Sequence, residues 1–190
     1  MAKLYFYFAS MNAGKSSTLL QTAFNYGERG MRVSLWTAAL DNRPGFGAIS
    51  SRIGLSSDAH RYEADTDIES RVLADHGEQP IACVLVDEAQ FLTEDQVWQL
   101  ARIVDDLSIP VMCYGLRVDF LGKLFPGSAA LLALADEMRE VRTICHCGKK
   151  ATMVIRKNPD GTVQTSGNQV QIGGNETYIS LCRRHFREAT

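Results

Sequence analysis

The sequence lacks an excess of charge of either sign, and it has no long apolar run. It holds 20 Lys and Arg residues against 22 Asp and Glu in 190 residues, a formal net charge of −2. This balance provides no broad basic surface, so generic nucleic-acid binding has no electrostatic support. No apolar run approaches the roughly 20 residues that a membrane-spanning helix needs. The first apolar run, residues 3–9, is too short for a signal peptide and leads into a Gly-Lys-Ser loop, so we predict a strand there. We therefore expect neither a nucleic acid nor a membrane as a partner.

The sequence also lacks an even number of cysteines. Five cysteines argue against the disulfide framework of a secreted protein, and we expect a reducing, cytoplasmic setting. Cys83 and Cys113 lie inside strand-like apolar runs, where a cysteine is usually a small buried hydrophobic residue. Cys145, Cys147 and Cys182 remain to be explained.

The first two thirds of the chain alternate strand-like and helix-like patterns. Short apolar runs predict buried strands, and apolar residues at helical spacing predict helices. Strands that alternate with helices imply right-handed crossovers and a mainly parallel sheet. Residues 41–58 are rich in Gly and Ser and have no helical period, which predicts a loop or a hairpin. The predicted strands are 3–9, 32–37, 81–86 and 110–114, and the predicted helices are 16–28, 67–76, 93–107 and 128–138.

The pattern changes after Arg139. From Val141 onward, short strand-like pieces are joined by turn signals such as Asn-Pro-Asp-Gly at residues 158–161. We predict a domain boundary near residue 140. Residues 1–140 would form an α/β domain, and residues 141–190 a small β domain.

A phosphate-binding loop is predicted between the first strand and the first helix, which is the context that such a loop requires. Backbone N–H groups and the helix N-terminus would hold phosphate oxygens, Lys15 would contact the terminal phosphates, and Ser16 would bind Mg²⁺. Ala9 stands where the motif has its first glycine, which is acceptable if its backbone does not need a positive φ. A Gly-Lys-Ser turn that arose by chance is the alternative. The predicted cofactor-binding residues of this loop are Ala9, Ser10, Met11, Asn12, Ala13, Gly14, Lys15 and Ser16.

A second nucleotide-binding element is predicted where the run VLVDEAQF ends a buried strand. Asp87 matches the acidic residue that holds Mg²⁺ in P-loop proteins. Glu88 points elsewhere, and it would be either a base that activates water or a base for a substrate hydroxyl. An acidic turn at the end of a strand, with no further role, is the alternative.

The remaining cysteines form a candidate metal site. Cys145 and Cys147 make one pair, and Cys182 and His185 make a second pair with ordinary zinc spacing. The Cys-x-Cys pair is one residue tighter than usual, but in an extended backbone both sulfurs lie on one face. Three thiolates and one imidazole would close a tetrahedral Zn²⁺ site with no open position for water, so its role would be structural. Unrelated cysteines beside a surface histidine are the alternative.

Together the motifs resemble cellular type II thymidine kinases of the bacterial kind, over nearly the whole chain. The resemblance is carried by the phosphate loop with Met11, by DEAQF, GLRVDF and QVQIGGNETY, and by the paired metal ligands. It implies a P-loop NTPase-like (RecA-like) parallel sheet flanked by helices, with a small zinc-binding β domain that carries a lid loop. It also implies ATP- and Mg²⁺-dependent phosphorylation of the 5′-hydroxyl of thymidine or deoxyuridine, inhibition by dTTP, and a homotetramer.

The resemblance implies roles for individual residues. Glu88 would remove the 5′-hydroxyl proton. Asp87 and Gln90 would lie next to Glu88, close to Mg²⁺ and the nucleotide. Asp41 and Arg43 match an element near the triphosphate, where a guanidinium would stabilise transferring charge. The residues that match substrate-binding positions are Met11, Phe91, Phe120, Gln169, Val170, Gln171, Ile172, Gly173 and Tyr178, and the metal ligands would be Cys145, Cys147, Cys182 and His185.

Other functions and roles remain open at this point. Met11, Phe91 and Phe120 are also compatible with an ordinary core, and Tyr178 with an ordinary strand. Asp41 and Arg43 are also compatible with a solvated pair. A zinc-ribbon P-loop ATPase acting on nucleic acid would use Glu88 to activate water, and a nucleotide-switch regulator is a third possibility.

Overall fold

A computed structural model describes residues 1–40, 47–171 and 177–190. Its centre is a six-stranded sheet formed by β1 (Leu4–Ala9), β2 (Val33–Ala38), β5 (His60–Tyr62), β6 (Cys83–Val86), β7 (Val111–Leu116) and β8 (Glu137–Glu140). The strands lie in the order β5-β2-β6-β7-β1-β8, and every pairing in the sheet is parallel.

Helices cover both faces of this sheet. Leu19 and Leu20 of α1 pack on one face with Leu35, Leu85 and Tyr114. The other face packs against α2, α3 and α4 in a larger core. The helices are α1 (Lys15–Gly27), α2 (Ile68–Glu78), α3 (Glu94–Leu107) and α4 (Pro126–Leu134).

The predicted α/β fold is confirmed, and so are its four strands and the existence of its four helices. The predicted N-cap of α3 is also confirmed, because the Thr93 hydroxyl accepts a hydrogen bond from the Gln96 backbone N–H and the Gln96 side chain returns one. The sequence patterns gave no sign of β5 or β8. The helix predicted to reach residue 138 ends at Leu134, and residues 137–138 belong to β8 instead. The pairing of Tyr5 through Phe8 with this edge strand overrides its weak local pattern.

The described part of the Gly/Ser-rich region forms a hairpin, which was one of its two predicted forms. Strands β3 (Ala48–Ser50) and β4 (Ser56–Asp58) pair antiparallel. Ile49 is buried against the core on the α1 side of the sheet. The hairpin therefore stands beside the phosphate loop that opens α1.

The described residues after 140 form a small β unit with one helix, α5 (Arg183–Ala189), which the sequence analysis did not predict. Cys145, Ala151, Ile155, Leu181 and Cys182 make its core. Three hydrogen bonds join this unit to the phosphate loop: Ser180 Oγ to Met11 O at 2.6 Å, Thr143 Oγ1 to Asn12 O at 3.3 Å, and Ser10 Oγ to Ala151 O at 3.4 Å. The domain boundary near residue 140 stays a prediction. The strands of the unit are β9 (Thr143–Ile144), β10 (Lys150–Ala151), β11 (Met153–Arg156) and β12 (Tyr178–Leu181), paired β9 with β10 and β11 with β12.

Candidate active site and metal centre

The phosphate loop has the backbone geometry of an anion site. Gly14 has a φ of 80° and Asn12 a φ of 63°, both left-handed. At Gly14 an added Cβ would meet no atom within 4 Å, so the backbone conformation, rather than space, favours glycine there. The helix α1 begins at Lys15, and its first N–H groups face the loop. Ala9 is the last residue of β1 and does not have a positive φ, so its backbone does not require the glycine that the motif usually has there.

Ser16 and Asp87 bring the two nucleotide elements into contact. The Ser16 hydroxyl donates to Asp87 Oδ2 at 2.7 Å, and the Asp87 backbone N–H donates to Trp36 O at 2.8 Å. Asp87 is only 4% exposed. Burial raises the pKa of this carboxyl to about 7, helped by the nearby charge of Glu88 and opposed by the Ser16 bond and the charge of Lys15. Two adjacent hard oxygen donors at a phosphate loop are a suitable ligand set for Mg²⁺.

Glu88 is held in an unusual backbone conformation. Its φ of 53° and ψ of 34° are left-handed, which costs of order 1–3 kcal/mol for a residue other than glycine. The buried Tyr62 hydroxyl donates to the Glu88 carbonyl oxygen at 2.8 Å. Gln90 Nε2 donates to Glu88 Oε2 at 2.5 Å, while Gln90 Oε1 accepts from the Leu116 backbone N–H at 2.9 Å. Strand β7 thus orients the Glu88 carboxylate through Gln90.

Two glycines allow this turn to pack closely. A Cβ on Gly115 would lie 2.9 Å from the Gln90 backbone nitrogen, and a Cβ on Gly127 would lie 2.5 Å from the Ala89 carbonyl oxygen. Neither approach is possible for a larger residue without backbone movement. The turn that carries Glu88 is therefore fixed between β7 and α4.

A cavity of about 510 Å³ joins the phosphate loop to Glu88 and to the residues expected around the nucleoside. This volume lies within the range of small-molecule sites. Most predicted site residues that the structure describes line it. Ala9 and Ser10 do not. The predicted residues that line the cavity are Met11, Asn12, Ala13, Gly14, Lys15, Ser16, Asp87, Glu88, Gln90, Phe91, Phe120, Gln169, Val170, Gln171 and Tyr178.

The sequence analysis missed several cavity residues. The hairpin residues from Ile49 to Ile53 line the side near the phosphate loop, and Asp119, Phe125 and Val154 line the other side. Asp119 follows the Arg-Val of GLRVDF, a motif that was noted only for its phenylalanine. The aspartate of this motif is the sequence feature that could have identified Asp119 as a cavity residue.

Residues 164–171, here called the covering segment, are fastened at one side of the cavity. Gln169 Nε2 donates to Asp119 Oδ2 at 2.9 Å and to Leu124 O at 3.2 Å. The Tyr178 hydroxyl donates to Gln171 O at 2.6 Å. Asp119 is buried, and its other oxygen accepts from two backbone N–H groups of the turn that follows it. The segment is thus bonded to the same turn that carries Phe120.

The four predicted metal ligands meet in one cluster. The ligand atoms of Cys145, Cys147, Cys182 and His185 all lie within 4.8 Å of one another. Cys147 Sγ lies 4.0 Å from Cys182 Sγ, and His185 Nδ1 lies 3.3 Å from Cys145 Sγ and 3.5 Å from Cys182 Sγ. A tetrahedral zinc site with Zn–S bonds of about 2.3 Å places its sulfurs about 3.8 Å apart. The cluster fits a zinc site.

The backbone of the Cys-x-Cys pair differs from the extended conformation that was predicted. The two sulfurs are not on one face of an extended strand, because Cys145 to Gly148 form a turn in which the Gly148 N–H donates to Cys145 O at 2.9 Å. Gly148 takes the left-handed φ of 79° that closes this turn. Burial raises the pKa of the Cys145 thiol, but hydrogen bonds from the backbone N–H groups of Cys147 and Cys182 and from His185 outweigh it and lower the pKa to about 6. A thiolate is the form that binds metals.

Comparison with known proteins decides the family. The family model described as "Thymidine kinase" matches residues 2–186. The chain belongs to the thymidine kinase family. It is 63% identical over 189 residues to the thymidine kinase of Novosphingobium aromaticivorans, covering 100% of this chain and 98% of that protein. It is 65% identical to that of Jannaschia sp. strain CCS1, covering 100% and 97%, and 58% identical to that of Yersinia pestis, covering 100% and 96%.

Family membership confirms the predicted resemblance and makes this thymidine kinase homologue an enzyme. The individual residue roles stay predictions. Four predicted residues, Asp41, Arg43, Ile172 and Gly173, lie outside the described residues. Within the part of the chain that the structure describes, no helix has the length and apolar character needed to span a bilayer.

The metal cluster generates a test with a matched pair of histidines. We expect the purified enzyme to hold about one zinc ion per chain, and His185→Ala to lose it because three ligands remain. His146→Ala should keep the metal, since the exposed His146 ring stacks on His185 at 4.2 Å but is outside the ligand cluster. Elemental analysis measures both. Equal zinc content in the two variants would contradict the ligand assignment.

The buried Asp87 generates a test of stability against pH. An unfolded aspartate has a pKa of about 3.9, and the folded value is about 7. Between these values the folded state keeps a proton that the unfolded state has released, so this residue's contribution to stability falls as pH rises. Without Mg²⁺ or nucleotide, Asp87→Asn should be more stable than the wild type at pH 8 by about 1–3 kcal/mol, with the difference shrinking toward pH 4.

Urea denaturation at both pH values measures this difference. Asp105→Asn, on the exposed side of α3, is the control and should change stability by less than about 0.5 kcal/mol. An Asp87→Asn variant that is less stable than the wild type at pH 8 would show that the carboxylate is not penalised by burial.

Proposed function

We propose that this enzyme transfers the γ-phosphoryl group of ATP to the 5′-hydroxyl of thymidine, and also of deoxyuridine, giving dTMP or dUMP and ADP. One observation carries the proposal: the phosphate loop and the Glu88 carboxylate line the same cavity, together with Phe91, Phe120 and Tyr178. A triphosphate and a nucleoside placed at the two ends would meet at Glu88. The family to which the chain belongs supports thymidine as the acceptor.

In the proposed reaction, Glu88 accepts the proton of the 5′-hydroxyl. The oxygen–phosphorus bond to the γ-phosphoryl group forms while the bond to the β–γ bridging oxygen breaks, and ADP leaves. The Gln90 side chain donates a hydrogen bond to Glu88 Oε2 and so orients the carboxylate that accepts this proton. General-base catalysis of this kind contributes ~10²- to 10⁴-fold.

Lys15, Ser16 and Asp87 would hold the triphosphate and its metal. The Ser16–Asp87 contact places two oxygen donors next to the loop, and the buried Lys15 adds positive charge. Mg²⁺, when bound, supplies neutralisation of phosphate charge. The zinc that the cysteine cluster fits would act structurally, because four protein ligands leave no position for a reacting group. It would stabilise the ends of the strands from which the covering segment extends.

The other functions considered are less well supported. A P-loop ATPase on nucleic acid and a nucleotide switch would both need water at Glu88, whereas the cavity continues past Glu88 to aromatic residues. Labelled ATP with a panel of nucleosides separates the three possibilities. Phosphate release stimulated by DNA, without labelled dTMP, would favour the ATPase. Inhibition by dTTP, a homotetramer and a cytoplasmic location remain predictions of the family resemblance.

The role of Glu88 is tested by Glu88→Gln, which keeps the shape of the side chain and removes its basicity. We expect kcat to fall by ~10²- to 10⁴-fold, while ATP and thymidine still bind in calorimetry. Glu94→Gln, an exposed change in the first turn of α3, is the matched control and should keep normal turnover. A kcat for Glu88→Gln near the wild-type value would remove Glu88 from the role of base.

The covering segment is tested by Gln169→Ala. This change removes two hydrogen bonds and leaves the buried Asp119 oxygen without its described donor. The thymidine KM should rise about 3- to 10-fold, because hydrogen bonds to charged groups contribute about 1.5–3 kcal/mol and part is recovered from water. ATP hydrolysis without thymidine should rise relative to phosphoryl transfer, since water enters more easily. Asn168→Ala, an exposed neighbour, is the control. Identical kinetics in both variants would argue against a covering role.

A further inference from the structure

Arg156 is a buried cation on the cavity side of the β11–β12 hairpin. It is 2% exposed and pairs directly across the hairpin with Tyr178. Val154 shares its face, because alternate residues of a strand point to the same side. Val154 and Tyr178 both line the cavity, whereas Ile155 and Leu181 belong to the core beside the metal cluster. The register therefore places Arg156 between two cavity residues.

The guanidinium lies between the cavity wall and the covering segment. Its central carbon is 3.7 Å from the centroid of the Phe120 ring, which lines the cavity and is 1% exposed. Arg156 Nε donates a hydrogen bond to the side chain of Gln164, at the start of the covering segment. A Cβ on Gly167 would lie 3.0 Å from Arg156 Nη2. One side chain thus contacts both Phe120 and the covering segment.

Folding alone does not account for this residue. No carboxylate in the described ranges forms an ion pair with Arg156, and its buried Nη1 has no hydrogen-bond partner among those residues. A buried charge without such a partner costs free energy, and a well-packed apolar side chain often serves stability as well or better. The stacked ring is the compensating contact that the site provides.

We propose that Arg156 is a positioning residue for the acceptor nucleoside. It holds the Phe120 ring from behind and bonds the covering segment to the same guanidinium. The orientation of the ring and the order of the segment then depend on one side chain. This inference rests on the proposed function, in which Phe120 lies beside the nucleoside.

The main test is Arg156→Met, which keeps length and apolar volume but removes the charge and the donors. A desolvated cation–π contact contributes about 2 kcal/mol or more, so we expect the thymidine KM to rise about 10- to 30-fold. The ATP KM should stay within about twofold, because Arg156 is not among the residues that line the phosphate end. Arg156→Lys keeps a cation near the ring but lacks the planar guanidinium and the Nε donor to Gln164, so it should recover part of the loss. Arg139→Met removes a cation from above Tyr5 and Tyr7 at the far edge of the sheet and is the matched control.

A double-mutant cycle shows whether Arg156 acts through Phe120. Phe120→Leu alone should raise the thymidine KM, and adding Arg156→Met should change it by less than about threefold. Two effects that multiply independently would overturn the proposal. An unchanged thymidine KM in Arg156→Met, or equal increases in the KM for ATP and for thymidine, would also overturn it.

A second variant keeps the proposal testable if Arg156→Met does not fold, as judged by thermal melting. Gly167→Ala leaves the guanidinium in place but presses a methyl group toward Nη2, at a φ of 130° that disfavours alanine. It should raise the thymidine KM severalfold and leave the ATP KM unchanged, and an unchanged thymidine KM would count against the proposal. The wild type in the same assay tests the proposed function separately. A wild type that makes no dTMP would refute the function, whereas normal wild-type activity with unaffected variants would refute only the role of Arg156.

Discussion

The site depends on the parallel pairing of β7 with β1 on one side and β6 on the other. Because all three strands run in the same direction, their carboxyl ends meet at one edge of the sheet. The phosphate loop leaves β1 there, and Asp87 and Glu88 leave β6. The backbone N–H of Leu116, the last residue of β7, donates to the Gln90 side chain, which in turn donates to the Glu88 carboxylate. Strand β7 therefore orients the Glu88 carboxylate. Backbone pairing therefore brings the predicted phosphate loop and the proposed base, Glu88, to one edge of the sheet before any ligand arrives.

This arrangement has a cost that the rest of the fold offsets. Asp87 is buried where burial raises its pKa, and Glu88 occupies a strained backbone conformation. Tyr62 holds the Glu88 carbonyl oxygen from the large core, and the close approach of Gly127 leaves no space for the turn to relax. Strain and desolvation of this kind are concentrated at functional sites because a rigid scaffold can sustain them. The absence of a side chain at Gly127 in α4 is therefore as important to the geometry of the site as Glu88 itself.

Features encoded by short motifs could be predicted, and features that arise from tertiary pairing could not. The loop before α1, the Asp87–Glu88 pair and the four clustered Cys and His residues could be selected as candidates because residue type and spacing indicate their chemistry. Strands β5 and β8 have three and four residues, and they exist because β2 and β1 pair with them. The role proposed for Arg156 has no local sequence signal, because the residues around it do not indicate that it stacks on Phe120. The Cys-x-Cys turn was misjudged because Gly148, which closes it, lies outside the ligand pattern.

The two faces of the β11–β12 hairpin connect the metal cluster to the cavity. Side chains alternate along each strand, so a shift of one residue would exchange the face that packs on the metal core with the face that lines the cavity. Cys182 follows directly after β12 and belongs to the cluster of four candidate metal ligands. Metal binding at this cluster would stabilise the register that places Arg156 opposite Tyr178 and behind Phe120. In the proposed function, a metal site with no open position would still influence acceptor binding, because it would determine which side chains of the hairpin face the nucleoside.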